Sequence, residues 1–191
     1  MITLHHGDAF AGLAGLVPRS VDHVITDPPW DPRTHRVAGR TRSLLEANKA
    51  TPLAFAALTG AQIVELGAHF ARITKRWIVV FAAERQLEPW SQALERGGAR
   101  VIRWGVVLRA NAMPQVSGDR PGAGADMLVI AHAKLPRGEH MRWNGGGRPA
   151  MWRAHSGASV TLWTMCPAVI PCQRPATRTV SPVSFEVPTA T

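Results

Sequence analysis

Cysteine is scarce in this 191-residue chain: Cys166 and Cys172 are the only two, with five residues between them. That spacing makes neither a C-x-x-C redox pair nor a zinc quartet, which excludes a thiol-redox or zinc-ribbon organisation. No apolar run approaches the 18 residues of a membrane-spanning helix. No charged and apolar leader opens the chain either, so the expectation is a soluble cytoplasmic protein. The histidines His5, His6, His23 and His35 fall at no spacing that builds a metal site, and none is expected. Internal repeats are absent, which removes the solenoid and propeller classes.

Negative charge is also in short supply. Thirteen Asp and Glu stand against 22 Lys and Arg, for a formal charge of +9. Lysine contributes only Lys49, Lys75 and Lys134, so the positive charge is almost all arginine. Arginine suits bidentate contacts to phosphates and base edges, and the net charge favours an anionic polymer as partner. A GC-rich genome also encodes arginine, and a basic protein without such a partner is an equal alternative. The length suffices for one domain with a substantial core.

Four apolar runs supply that core. Val21–Thr26 is a short strand, and Trp77–Phe81 is the strongest buried-strand signal. Arg100–Arg109, with a bend expected at Gly105, and Ala125–His132 follow as strands. The loop between the last two has no room for a crossover helix, which predicts an antiparallel pair at a sheet edge. Helical patterns fall over Ala9–Val17, over a run from Thr51-Pro52 to Ile73 closed by Lys75-Arg76, and over Glu84–Arg96. Gly60, Gly67 and Pro89 weaken the last two. Strands alternating with helices are the grammar of an α/β fold.

The chain is organised around Asp27-Pro28-Pro29-Trp30, directly after the first strand. Neither proline can donate to a sheet ladder, so the strand must stop there. The carboxyl end of a strand in an open α/β sheet is where ligands bind. Asp27 and the Pro28 carbonyl can both accept from an NH2 group, and Trp30 can stack on a flat ring. The equally weighted alternative is an ordinary turn with a capping aspartate. Downstream, Arg33, Arg36 and Arg40 lie in a polar stretch that either holds phosphates or forms a solvated loop.

With Gly7-Asp8-Ala9 upstream and Ser20-Val21-Asp22 opening the strand, this motif resembles the amino-methyltransferases of DNA, in the class whose catalytic motif comes first in the chain. The resemblance covers residues 1–135. Trp77–Ala82 matches the second strand of the catalytic half, Trp104–Pro114 the strand and loop flanking the target base, and Asp126–Ala133 the edge strand after it. It implies part of a Rossmann-like, S-adenosylmethionine-dependent methyltransferase sheet, mainly parallel with an antiparallel edge pair. It also implies DNA as partner and a base flipped from the duplex. Asp27 and the Pro28 carbonyl then accept from its amine, Pro29 stiffens the turn, and Trp30 stacks on the base. Asp8 and Phe10 fall near the cofactor in such a fold. An aromatic after DPP leans to adenine N6, with cytosine N4, an RNA target or a non-catalytic nucleic-acid binder as alternatives.

The sequence departs from the family after residue 135. Residues 136–163 are a polar Trp-, Arg- and Gly-rich segment, and residues 164–191 are an irregular tail containing Pro167, Pro171 and Pro175. The family's Phe-x-Gly-x-Gly loop after a strand has no counterpart here. Gly145-Gly146-Gly147 follows no strong strand. The expectation is a shortened or frame-shifted cofactor half with weak or absent S-adenosylmethionine binding, which would leave the chain inactive. The rival is a diverged tail that binds it differently.

Overall fold

The computed structural model describes residues 3–32, 56–110, 112, 118–143 and 147–154. Within them the order is α1 (Ala9–Ala14), β1 (Val21–Thr26), α2 (Gly60–Ile73), β2 (Thr74–Ala82), a 3-10 turn (Glu84–Gln86), α3 (Leu87–Arg96), β3 (Ala99–Arg109), β4 (Ala125–Ala133) and β5 (Met151–Ala154). The five strands form one sheet in the order β1-β2-β4-β3-β5.

β2 is central because its sequence is apolar on both sides. Trp77, Ile78, Val79, Val80 and Ala82 are all buried, as a strand covered on both faces requires. It pairs in parallel with β1, with Ile25 opposite Val79 and Thr26 opposite Val80. Its other edge takes β4 antiparallel, with Val80 opposite Val129. β4 in turn pairs antiparallel with β3, and β3 takes β5 in parallel.

The parallel neighbour relation of β1 and β2 is present as expected. The expected antiparallel pairing of β3 with β4 is present, but its expected place at the sheet edge is corrected: β4 lies inside the sheet between β2 and β3, and β5 flanks β3. The expectation of a mainly parallel sheet is corrected: two pairings are parallel and two antiparallel. β4 inserts between β2 and β3 and runs against both. Residues 136–163 also do not stand wholly outside the sheet, since Met151–Ala154 extends it past β3.

Helices α2 and α3 cover one face. Ile63, Leu66 and Phe70 of α2 and Trp90 and Leu94 of α3 pack on Ile78, Val80, Val129 and Ala131. Phe70 and Trp90 stack with centroids 6.0 Å apart. α2 begins at a capping box: the Thr59 hydroxyl accepts from the Gln62 amide at 3.3 Å, and Gln62 Oε1 accepts from the Thr59 amide at 2.9 Å. Two orphan donors are satisfied this way, worth ~1 kcal/mol. Thr51 and Pro52, the expected start, lie outside the described residues.

Gly67 is no helix breaker. A Cβ there would sit 2.7 Å from that of Ala93, so the glycine lets α2 and α3 touch backbone to backbone. Pro89 is tolerated because it is the third residue of α3, where an amide has no intrahelical acceptor. Lys75 and Arg76 do not close α2 as expected but belong to β2, since Thr74 turns the chain straight into the strand. Its buried hydroxyl donates to the Phe70 carbonyl at 2.7 Å.

On the opposite face Trp77, Val79, Val107, Leu128 and Ile130 pack against Met141, Trp143 and Trp152. Gly105 serves this face rather than bending β3. A Cβ there would meet the Trp152 ring at 2.9 Å. The irregularity of β3 lies instead between Val101 and Arg103.

Candidate active site

The pairing registers bring the carboxyl ends of β1, β2 and β3 and the amino end of β4 to one edge of the sheet. Asp27-Pro28-Pro29-Trp30 leaves β1 at this edge. Pro28 is buried, Pro29 and Trp30 are half-buried, and Asp27 is exposed. The Trp30 indole Nε1 donates to Asp27 Oδ1 at 3.0 Å. Two prolines fix the backbone between these residues, so the indole and the carboxylate are held together by a stiff three-residue span. Among the described residues, Oδ2 receives no hydrogen bond. The Asp27 carboxyl is pushed above the ordinary carboxylate value. Crowding by surrounding protein is the main cause, the Trp30 hydrogen bond opposes it, and the negative charge of Asp126 adds to it.

Asp126 opens β4 and is held by Arg109 at the end of β3. The guanidinium donates from Nε to Oδ2 at 2.8 Å and from Nη2 to Oδ1, a two-pronged grip. Sequence reading missed this pair. Its signal was present, because an arginine closing one strand and an aspartate opening its antiparallel partner meet in any register close to the one seen, Val107 opposite Asp126. Beneath the motif, His23 Nδ1 accepts from the Trp77 amide at 3.4 Å where the β1–β2 ladder shifts. Burial and then the charge of Arg76 hold its ring below the usual histidine value, against Asp22.

The other expected site residues fare differently. Asp8 is exposed and caps α1, accepting from the Ala11 amide at 2.9 Å. Phe10 is half-buried against the helix-side core. Arg33, Arg36 and Arg40 lie outside the described residues, as do Gly145, Gly146 and the tail 164–191. Among the described residues no group of three metal-ligating side chains occurs, and no helix is long and apolar enough to cross a membrane.

This mixed sheet of parallel and antiparallel strands has the Rossmann-like fold seen in S-adenosylmethionine-dependent methyltransferases. Three of the solved structures that share it illustrate the likeness. M1.HpyAVI in complex with SAM is 20% identical, over 88% of this chain and 76% of that one, with a TM-score of 0.53. M1.HpyAVI alone gives 18% identity, 88% and 75% coverage and a TM-score of 0.54. PvuII DNA methyltransferase, cytosine-N4-specific, is 12% identical over 90% of this chain and 64% of that one, with a TM-score of 0.54. A scan of protein-family models and a search of curated proteins each found no match.

Proposed function

We propose that this chain is an amino-methyltransferase acting on DNA, with adenine N6 as the acceptor. The observation that carries the reading is the Asp27–Trp30 clamp at the carboxyl end of β1, where a carboxylate acceptor and an aromatic platform are locked together. An extrahelical adenine laid on the Trp30 face would present its exocyclic amine to Asp27. Asp27 Oδ2 and the Pro28 carbonyl accept from the two N–H bonds. This draws the nitrogen towards tetrahedral geometry and frees its lone pair for attack. As the nitrogen gains positive character the carboxylate stabilises it, an interaction strongest in the transition state.

S-adenosylmethionine, when bound, supplies a methyl group on a sulfonium. The carboxylate of Asp27 is the negative charge at this edge that a sulfonium complements, since Asp126 is already neutralised by Arg109. Asp8 and Phe10 are the candidate contacts to the cofactor, although Asp8 Oδ1 is already committed to capping α1. We expect weak cofactor affinity, because the sequence has no glycine-rich loop after a strand. Arg33, Arg36 and Arg40 are the candidate phosphate contacts.

Cytosine N4 is the second reading, favoured by the fold likeness to a cytosine-N4-specific enzyme. Incubation of the protein with unmethylated DNA and saturating S-adenosylmethionine, followed by mass spectrometry of the digested nucleosides, separates the two. N6-methyladenine is the expected product. N4-methylcytosine would move the target, and neither product would refute the activity.

A further inference from the structure

We propose that the sheet carries a second DNA-binding surface, a cleft that takes phosphodiester backbone at the end remote from Asp27. The cleft encloses about 730 Å³ and is lined by Arg100, Lys134, His132 and His140, with Glu95 and Glu139. A smaller hollow of about 180 Å³ adjoins it through the shared wall of Ile102 and adds Arg103, Arg148 and Trp143.

The strand registers explain this concentration of charge. Arg100 stands opposite His132 and Arg103 opposite Ile130 across the antiparallel β3–β4 pair, so both arginines share the face of His132. Ordinary alternation would put residues 100 and 103 on opposite faces. The bulge between Val101 and Arg103 inserts one residue and returns Arg103 to the side of Arg100. Like charges set side by side on a strand pair cost stability unless something neutralises them. Among the described residues none of Arg100, Arg103, Lys134 and Arg148 is in an ion pair, which sets them apart from Arg109.

The base of the cleft is rigid. His132 is buried, its Nδ1 lies 2.7 Å from the Ala133 carbonyl, and its ring meets Trp77 edge-on at 5.4 Å. Trp77 is fixed in turn by the Trp143 ring at 4.9 Å and by its own indole N–H, which donates to the Arg142 carbonyl at 3.1 Å. Arg100 and Lys134 share the cleft with Glu95 and Glu139, and Arg103 and Arg148 of the adjoining hollow bring the two together to four cations against two carboxylates, an excess that suits an extended polyanion spanning both. His132 lies six positions along β4 from Asp126, roughly 20 Å at ~3.3 Å per residue. Backbone held there falls well beyond the target base and lengthens the footprint.

This inference rests on DNA being the partner and not on methyl transfer. It is tested by duplex binding without cofactor, read by fluorescence anisotropy across a salt series. Arg100→Gln/Lys134→Gln should make the plot of log K against log salt shallower by about two, at ~0.9 for each phosphate no longer neutralised. Arg19→Gln/Arg85→Gln, which removes the same charge outside both hollows, should leave the slope unchanged. In the unaltered chain, added DNA should slow amide exchange over residues 98–103 and 132–136. Equal slope changes in the two double variants, no change in either, or DNA protection that omits both segments would overturn the proposal. Binding is read apart from turnover, so its failure leaves the Asp27 reading standing, and an inactive enzyme leaves the cleft standing.

Discussion

The two ends of the sheet handle charge in opposite ways. At the carboxyl ends of β1 and β3, Asp27 is tied to Trp30 and Asp126 is gripped by Arg109. At the other end, Arg100, Lys134, Glu95 and Glu139 line an open cleft with no ion pair among the described residues. Held partners fix the direction of a lone pair, which chemistry on one amine nitrogen demands. Unpaired charges in a cleft attract a polymer whose position along the groove matters less. The difference teaches that net charge, the feature most visible in composition, says little about the Asp27 end, where one carboxylate is held by an indole and the other by a guanidinium.

The held end is most sensitive at Trp30. Replacing it by alanine removes both the stacking face and the Asp27 hydrogen bond. The loss of a base-stacking platform should cost ~1–3 kcal/mol in binding of the extrahelical base, read as a fall of roughly 5- to 150-fold in kcat/KM. Trp30→Phe sharpens the comparison because it keeps a ring and deletes only the indole N–H. That hydrogen bond favours the charged carboxylate, so its loss pushes the Asp27 carboxyl further up. The acid limb of the pH–rate profile should therefore move to higher pH in Trp30→Phe. An unmoved limb would separate Asp27 from the rate.

A smaller effect is expected at the second pair. Arg109→Leu leaves the Asp126 carboxylate without its two-pronged partner. Both side chains are partly exposed, at 38% and 22%, so solvent screening limits the loss to about 1 kcal/mol of unfolding free energy, measured by urea denaturation at neutral pH. An unneutralised Asp126 acts more strongly on Asp27 and raises its carboxyl again. A folded carboxyl above its unfolded value keeps a proton that the unfolded chain has already released. Stability is therefore lost as pH rises through the interval between the two, and that interval widens in Arg109→Leu. An Arg109→Leu protein with wild-type stability and wild-type pH dependence would reduce the pair to a surface feature.

Much of the fold was legible because β2 and β4 are apolar runs with no competing helical period, and because Pro28 and Pro29 end β1 unmistakably. The place of Asp27 at the end of β1 was legible for the same reason, and its contact with Trp30 falls within four consecutive residues. The order of the strands was not, because a short return loop shows that β4 is antiparallel to β3 without showing on which side it lands. β5 escaped notice because Met-Trp-Arg-Ala is too short for alternation to register, and its partner signal, Gly105, reads as a bend until Trp152 is seen against it. The Arg109–Asp126 pair joins residues 17 positions apart, and only the register reveals it. Gly67 reads as a helix breaker until the closeness of α2 and α3 gives it a purpose.

The measurement that bears most directly on this reading is methyl transfer by Asp27→Asn, with unfolding measured on the same preparation. The substitution keeps the shape of the side chain and can replace an acceptor oxygen by an NH2 aimed at the substrate amine. Loss of a charge-stabilising group of this kind costs ~10²–10³ in turnover. At neutral pH the protein crowds a charged Asp27, so the neutral amide should leave the fold at least as stable as before. Turnover lost from a fully folded protein is the predicted result. Undiminished methylation by Asp27→Asn would contradict the account at its centre.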